Sequence, residues 1–337
     1  MVKLKDVANL ANVSTATVSR VLTGRDKVSE YTKEKVLAAI NELNYQPNYL
    51  GRQLRELQTS NILVVLPDLS NPFFYDVLQG IELKAMEYGY ELLLKDMKNK
   101  EKKDLDYFNY LNQKQVAGII LLAVGEQRKI DDLSNGRLVL ACAYLEKSEI
   151  PNVSINNTES AYKMTKHLIS LGHEKIAFIA GGMKTISSGD RLKGYNQALL
   201  EAEIEINELY VKDGDYSFQS GINATEKLLE LDIPPTAIFA ASDQMAAGAI
   251  KYIKSKGLSV PEDIAVTGFD NIELASIIDP ELTTISQPSL EIGQVAMKMM
   301  HKLISGEEIL TSKVILEAKL VIRESCGEVL KRDLNRE

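Results

Sequence analysis

Cysteine is nearly absent: Cys142 and Cys326 stand alone and far apart. That excludes a disulfide framework and any Cys-x-x-Cys metal or redox site, and both thiols are expected to be buried as small apolar groups. Histidine is almost as scarce, and His167, His173 and His301 fall in no H-E-x-x-H spacing. No G-x-S-x-G, Walker A or G-x-G-x-x-G stretch occurs, and Gly181-Gly182-Met183-Lys184 lacks the remaining P-loop positions. Catalysis, a metal and a cofactor are therefore not expected. Long apolar runs are missing too. The longest, Ile62 to Leu66 and Gly118 to Val124, fall far short of the ~18–20 residues that cross hydrocarbon. Lys3 and Lys5 are followed by Asp6, Asn9, Asn12, Ser14 and Thr15 where a signal peptide needs an unbroken apolar segment, so the expected location is the cytoplasm.

What is present is an uneven charge. The 337 residues carry a net charge of −8, which argues against a protein that coats nucleic acid along its whole surface. Residues 1–58, however, hold nine basic side chains against six acidic ones, or +3, and the remainder carries −11. A small basic head on an acidic body suits a sequence-specific DNA reader joined to a separate sensing module. The head reads as short helices without strand alternation. Asp6 to Ala11 sets Val7, Leu10 and Ala11 on one face. Ser14 is placed to cap a second helix from Thr15 to Leu22, with Ala16, Val18, Val21 and Leu22 available for packing, and Gly24 to end it. A third helix follows Ser29 and runs to Leu43 with Val36, Ala39, Ile40 and Leu43 as its apolar stripe. Three helices with a short turn between the first two make a helix-turn-helix, whose second helix enters the major groove; Thr15, Thr17, Ser19 and Arg20 supply a polar face for it.

The stretches KDVANLANVSTATVSRVL (5–22) and VSEYTKEKVLAAINELNYQPN (28–48) resemble the headpiece of the LacI/GalR family of transcription regulators. The resemblance implies that Thr15, Ala16 and Arg20 choose operator bases, with Thr17 and Ser19 closer to phosphates. It also implies a hinge helix over Asn48 to Glu56 that inserts Leu54 into the minor groove, where unstacking a base step costs a few kcal/mol and is offset by contacts to the bent duplex. Two positions depart from the family pattern. Lys3 replaces the usual capping Thr, and Gly51 replaces Ala at a helix cost of roughly 0.5–1 kcal/mol.

From Asn61 the rhythm changes to short Val/Ile/Leu strands alternating with amphipathic helices, the signature of parallel sheets covered on both faces. Strands are expected at Ile62–Leu66, Glu91–Leu94, Gly118–Leu122, Leu138–Ala143, Ile176–Ala180, Ala237–Ala241, Ile264–Gly268 and Val314–Ile322. Helices are expected at Phe73–Tyr88, Thr158–Leu171, Arg191–Glu203, Phe218–Leu231 and Gln244–Lys256. About 265 residues exceed one comfortable core, so two α/β lobes are expected, with a ligand in the cleft beyond the strand ends. Asn71, Phe73-Phe74, Asn156-Asn157, Arg191, Ser242-Asp243 and Asp270-Asn271 fall just past those ends. Singly, Asp243 reads equally as a helix cap, Phe74 as core and Asp270 as a turn residue.

PDLSNPFF (67–74), HLISLGHEKIAFIAG (167–181), GDRLKGY (189–195), ASDQMAAGA (241–249), VPEDIAVTGFDN (260–271) and LTTISQP (282–288) resemble the core of the same family, so the resemblance spans nearly the whole chain. It implies an α/β protein with a small all-α helix-turn-helix headpiece and a two-lobed, periplasmic-binding-protein-like body of parallel sheets covered by helices. The implied division is headpiece 1–47, hinge 48–60 and body 61–337, with one lobe at 61–157 plus 289–323 and the other at 158–288. By position Arg191 is implied to clamp effector oxygens, Asp270 to accept paired hydroxyls, Phe73 and Phe74 to wall a ring, Tyr216 to stack, and Asn71 and Ser242 to face the effector. Asn156-Asn157 stands where the family often has Asp-Asn. PDLSNPFF and LTTISQP are similar to the cytidine-repressor branch, which adds a nucleoside to a sugar as the implied effector.

The function expected is a repressor whose operator affinity is switched by that effector. The alternatives are a global catabolite-control regulator with a protein corepressor and, more remotely, a free-standing sugar-binding protein. A palindromic operator calls for a homodimer. The dozen or so residues after Ile322 are too few for a tetramerising coiled coil, so no higher assembly is expected.

Overall fold

A computed structural model describes residues 2–23, 28–45, 59–97, 107–123, 136–145, 148–182 and 185–328. The chain divides into two units, Met1–Thr59 and Ser60–Glu337. The proposed hinge, with Gly51 and Leu54, and the helix stop at Gly24 lie outside the described residues.

The first unit is built from α1 (Leu4–Leu10), α2 (Thr15–Thr23) and α3 (Glu30–Glu42). Lys3 offers no side-chain acceptor to α1; instead its own N–H donates to Asp6 Oδ2 at 2.8 Å, half of a capping box. Ser14 Oγ accepts the Thr17 N–H at 3.1 Å and Ser29 Oγ accepts that of Thr32 at 3.3 Å, so both expected caps are present. The turn between α1 and α2 uses Asn12 at φ +51°, a conformation Asn tolerates better than most residues. Val7, Ala8, Ala11, Val18, Val36 and Ala39 form the core. Leu10, expected inside, is 45% exposed, and Ala8 takes its place; Ala16 is likewise exposed rather than packed.

The second unit follows the order β1 (Asn61–Leu66), α4 (Phe73–Tyr88), β2 (Glu91–Asp96), α5 (Tyr107–Asn112), β3 (Gly118–Leu121), β4 (Leu138–Ala141), β5 (Asn152–Ile155), α6 (Asn157–Ser170), β6 (Ile176–Ala180), α7 (Ile186–Glu201), β7 (Val211–Asp213), α8 (Phe218–Leu229), β8 (Ala237–Ala240), α9 (Asp243–Ser255), β9 (Ala265–Thr267), β10 (Thr284–Ser286), α10 (Ser289–Ser305), β11 (Lys313–Leu316) and β12 (Lys319–Val321). Strands β11-β5-β4-β3-β1-β2 form one parallel sheet and β7-β6-β8-β9 a second. Alternate residues of β1 serve opposite faces: Ile62, Val64 and Leu66 join the large core, Leu63 and Val65 a smaller cluster with Phe108 and Ile119. Burial on both faces explains the unbroken apolar strands.

The single strand expected over Val314–Ile322 is in fact two. β11 extends the six-stranded sheet beside β5, whereas β12 pairs antiparallel with β10. Glu317 and Ala318 carry the chain between them, and Ser325 O then accepts the Val266 N–H beside the four-stranded sheet. The two halves are thus joined by chain crossings near residues 156, 287 and 317. Helices α4 and α10 approach backbone to backbone at Gly80 and Gly293, where a Cβ would strike the carbonyls of Leu290 and Val77 respectively.

Candidate effector cleft and DNA-reading helix

In each sheet one strand is flanked on both sides by strands that follow it in sequence. β1 lies between β2 and β3, and β6 between β7 and β8. At such a switch point the loops leaving the carboxyl ends part in opposite directions and open a crevice. A cavity of about 720 Å³ occupies that place, lined by segments following β1, β3 and β4 from one half and β6, β7, β8, β9 and β10 from the other. Its volume is ordinary for a small-molecule site.

Arg191, on α7, is buried and held on every side. Its Nε donates to Asn157 Oδ1 at 2.9 Å, its Nη1 donates to the Ala241 carbonyl, and its guanidinium lies 3.6 Å from the centre of the Phe269 ring. Nη1 is also 3.7 Å from Asp270 Oδ1. Asp270 follows β9 at φ +116°, with its N–H donated to the Ile285 carbonyl, and Gln287 Nε2 donates to the same Oδ1 at 2.7 Å. Burial pushes the Asp270 carboxyl up to about 7, while Arg191 and Gln287 pull against it. This oriented cation beside a carboxylate can grip two hydroxyls of one ligand.

The apolar walls are Phe73 and Phe74, packed edge to face at 5.2 Å, and Tyr216. Tyr216 lies against the backbone of Gly181, where any Cβ would collide with its ring. Its hydroxyl is within 3.4 Å of Thr185 and 3.3 Å of Ser187. Asn71 lines the cavity while its Oδ1 accepts the Phe73 N–H at 3.1 Å. Cys142, expected to be buried as a small apolar group, is a lining residue at φ +62°. Burial, helped by Asp270 and opposed by Arg191, pushes its thiol up to about 12. Cys326 is buried as expected.

Three expectations are corrected by local geometry. Ser242 does not line the cavity: it caps α9, accepting the Met245 N–H at 3.3 Å. Asp243 is therefore not the cap. It is fully buried and accepts hydrogen bonds from Thr284 Oγ1 and the Ile272 N–H, with its carboxyl raised first by burial and then by Asp270. Asn156 is the cap of α6, accepting from Glu159 N–H at 3.0 Å, and Asn157 braces Arg191 from behind. Cys142, Asp215, Gln244 and Gln287 join the lining without having been singled out. Gln244 and Gln287 sat inside motifs already noted, ASDQMAAGA and LTTISQP. In the first unit, Thr15, Ala16 and Arg20 are exposed on α2, and Thr17 and Ser19 are half-buried. The Thr17 hydroxyl lies 2.9 Å from Ser14 Oγ, beside the cap. Among the described residues no cluster of three His, Cys, Asp or Glu side chains could hold a metal ion, and no helix is long and apolar enough to cross a membrane.

Residues 3–48 match the bacterial regulatory proteins of the lacI family, and residues 165–326 match the periplasmic binding protein-like domain. Over 330 residues the chain is 38% identical to the HTH-type transcriptional repressor CytR of Escherichia coli (strain K12), spanning 96% of this chain and 95% of that protein. The chain belongs to the LacI family. Catabolite control protein A of Priestia megaterium is also 38% identical, over 328 residues covering 96% of this chain and 99% of that protein. The crystal structure of the Lac repressor dimer bound to operator and the anti-inducer ONPF matches with a TM-score of 0.88 and 31% identity, over 96% of this chain and 99% of that one. This LacI-family member is thus a DNA-binding transcriptional regulator and not an enzyme.

Proposed function

We propose that this regulator represses transcription as a cytoplasmic homodimer on a palindromic operator and is switched by a sugar or nucleoside held in the cleft. The observation that carries the reading is the Arg191–Asp270 pair, 3.7 Å apart, facing a cavity walled by Phe73, Phe74 and Tyr216. A charged pair for hydroxyls and flat apolar walls for a ring suit a polyhydroxylated cyclic ligand. Thr15, Ala16 and Arg20, exposed on α2, read bases, with Thr17 and Ser19 nearer the phosphates and Leu54 as the minor-groove wedge. The functional division follows headpiece, hinge and body as 1–47, 48–60 and 61–337. Leu83 and Met86 of α4 and Leu93 and Leu94 of the edge strand β2 are exposed apolar side chains that a second copy would cover.

Thermal-shift screening of sugars and nucleosides, repeated with Arg191→Ala and Asp270→Ala, tests the site. A ligand that stabilises both variants as well as wild type places the site elsewhere. The equal identity to Catabolite control protein A supports a second reading, a global regulator with a protein corepressor. That reading is favoured if no small molecule in the screen alters operator affinity.

A further inference from the structure

Tyr144 lies three residues beyond β4, in the half built on the six-stranded sheet, and Asp190 lies in α7 of the other half. Tyr144 Oη donates to Asp190 Oδ2 at 2.7 Å, and Lys193 Nζ donates to Asp190 Oδ1 at 3.1 Å. Asp190 is 5% exposed. Neither Tyr144 nor Asp190 lines the cavity, yet Cys142 and Ala143 do on one side of the bond and Ser187 and Arg191 do on the other.

We propose that Tyr144 is an affinity-determining residue of the cleft that never touches the effector: through Asp190 it latches the two halves in the closed arrangement. The proposal rests on the effector-cleft reading above. Parting the halves must break the Tyr144–Asp190 bond, after which both groups regain water. A hydrogen bond to a carboxylate is among the stronger ones, and a buried carboxylate oxygen that loses its donor carries a desolvation penalty. Tyr144→Phe imposes that penalty on the closed arrangement alone, because the open one hydrates Asp190. The closed fraction of the empty protein falls, and apparent effector affinity falls by the same factor.

Cys142 gives a readout that needs no ligand. It lines the cleft, whereas Cys326 is 1% exposed in the core, so the two thiols report cleft opening and general unfolding separately. With the empty protein mostly closed, labelling with dithionitrobenzoate is expected to proceed up to about tenfold faster at Cys142 in Tyr144→Phe than in wild type, with the Cys326 rate unchanged. Cys142→Ser removes the accelerated phase and so assigns it. Asp190→Ala, which deletes the acceptor, reproduces the acceleration and serves if Tyr144→Phe folds poorly. An unchanged Cys142 rate in both variants overturns the latch, and so does equal acceleration of both thiols, which reports general loosening. Titration of the same proteins with cytidine, adenosine, ribose and cellobiose is the second arm. Any of these that binds wild type is expected to bind Tyr144→Phe more weakly, the loss in affinity multiplied by the gain in Cys142 labelling rate coming to at least about ten. If none binds wild type, these four are excluded as the effector while the thiol result still decides the latch.

Discussion

Asp270→Asn separates the charge of the cleft from its shape. The residue is 7% exposed and its carboxyl is pushed up to about 7, where an unfolded Asp ionises at ~4. Between those values the folded chain keeps a proton that the unfolded chain has released. The native state therefore binds more protons, and stability falls as pH rises through the window, levelling off above about 7. One unit of offset corresponds to about 1.4 kcal/mol, so the span from pH ~5 to ~8 removes about 3 kcal/mol from wild type. Asn cannot ionise, tolerates a positive φ, and keeps an oxygen for the Gln287 amide. Asp243 is retained, and losing the neighbouring charge relaxes its raised carboxyl, which adds to the difference with the same sign. Urea unfolding of the two ligand-free proteins from pH ~5 to ~8 is the assay. The variant should gain on wild type by about 3 kcal/mol across that range, most of it below pH ~7. A difference that stays flat with pH would refute the claim that Asp270 titrates while buried in the folded cleft.

Effector binding should show the opposite slope: hydroxyls bond more strongly to an ionised carboxylate than to a protonated one, so affinity measured by calorimetry should weaken as pH falls below about 7. Arg191→Ala leaves Asp270 without its cation, so the raised carboxyl should rise further and the effector response should vanish in a DNA-release assay while operator binding persists. Arg20→Ala should weaken specific DNA binding by ~1–3 kcal/mol in a fluorescence titration without moving the unfolding of the body; unchanged affinity would remove Arg20 from base reading. Gly293→Val drives a side chain into the Val77 carbonyl on α4 and should cost at least ~1–3 kcal/mol in urea unfolding.

The strands and helices were legible wherever one segment carried its own signal. The expected helix Phe73–Tyr88 and strand Ile176–Ala180 have the observed bounds, because apolar periodicity and a terminating Gly89 in the left-handed conformation are local properties. The division of Val314–Ile322 was not legible, since two short strands in one apolar run differ only in their distant partners, β5 and β10. The candidate site shows the same boundary. Position past a strand end marked Arg191, Asp270 and the Phe73-Phe74 wall, and the family resemblance added Tyr216, but the roles within the group depend on neighbours far away in sequence. Arg191 is fixed by Asn157, Ala241, Phe269 and Asp270, and the proton affinity of Asp270 is set by burial against Arg191 and Gln287. The cap expected at Asp243 falls to Ser242 for a related reason. Either residue can begin a helix, and only the closure of Thr284 and Ile272 around the second side chain leaves the cap to the first.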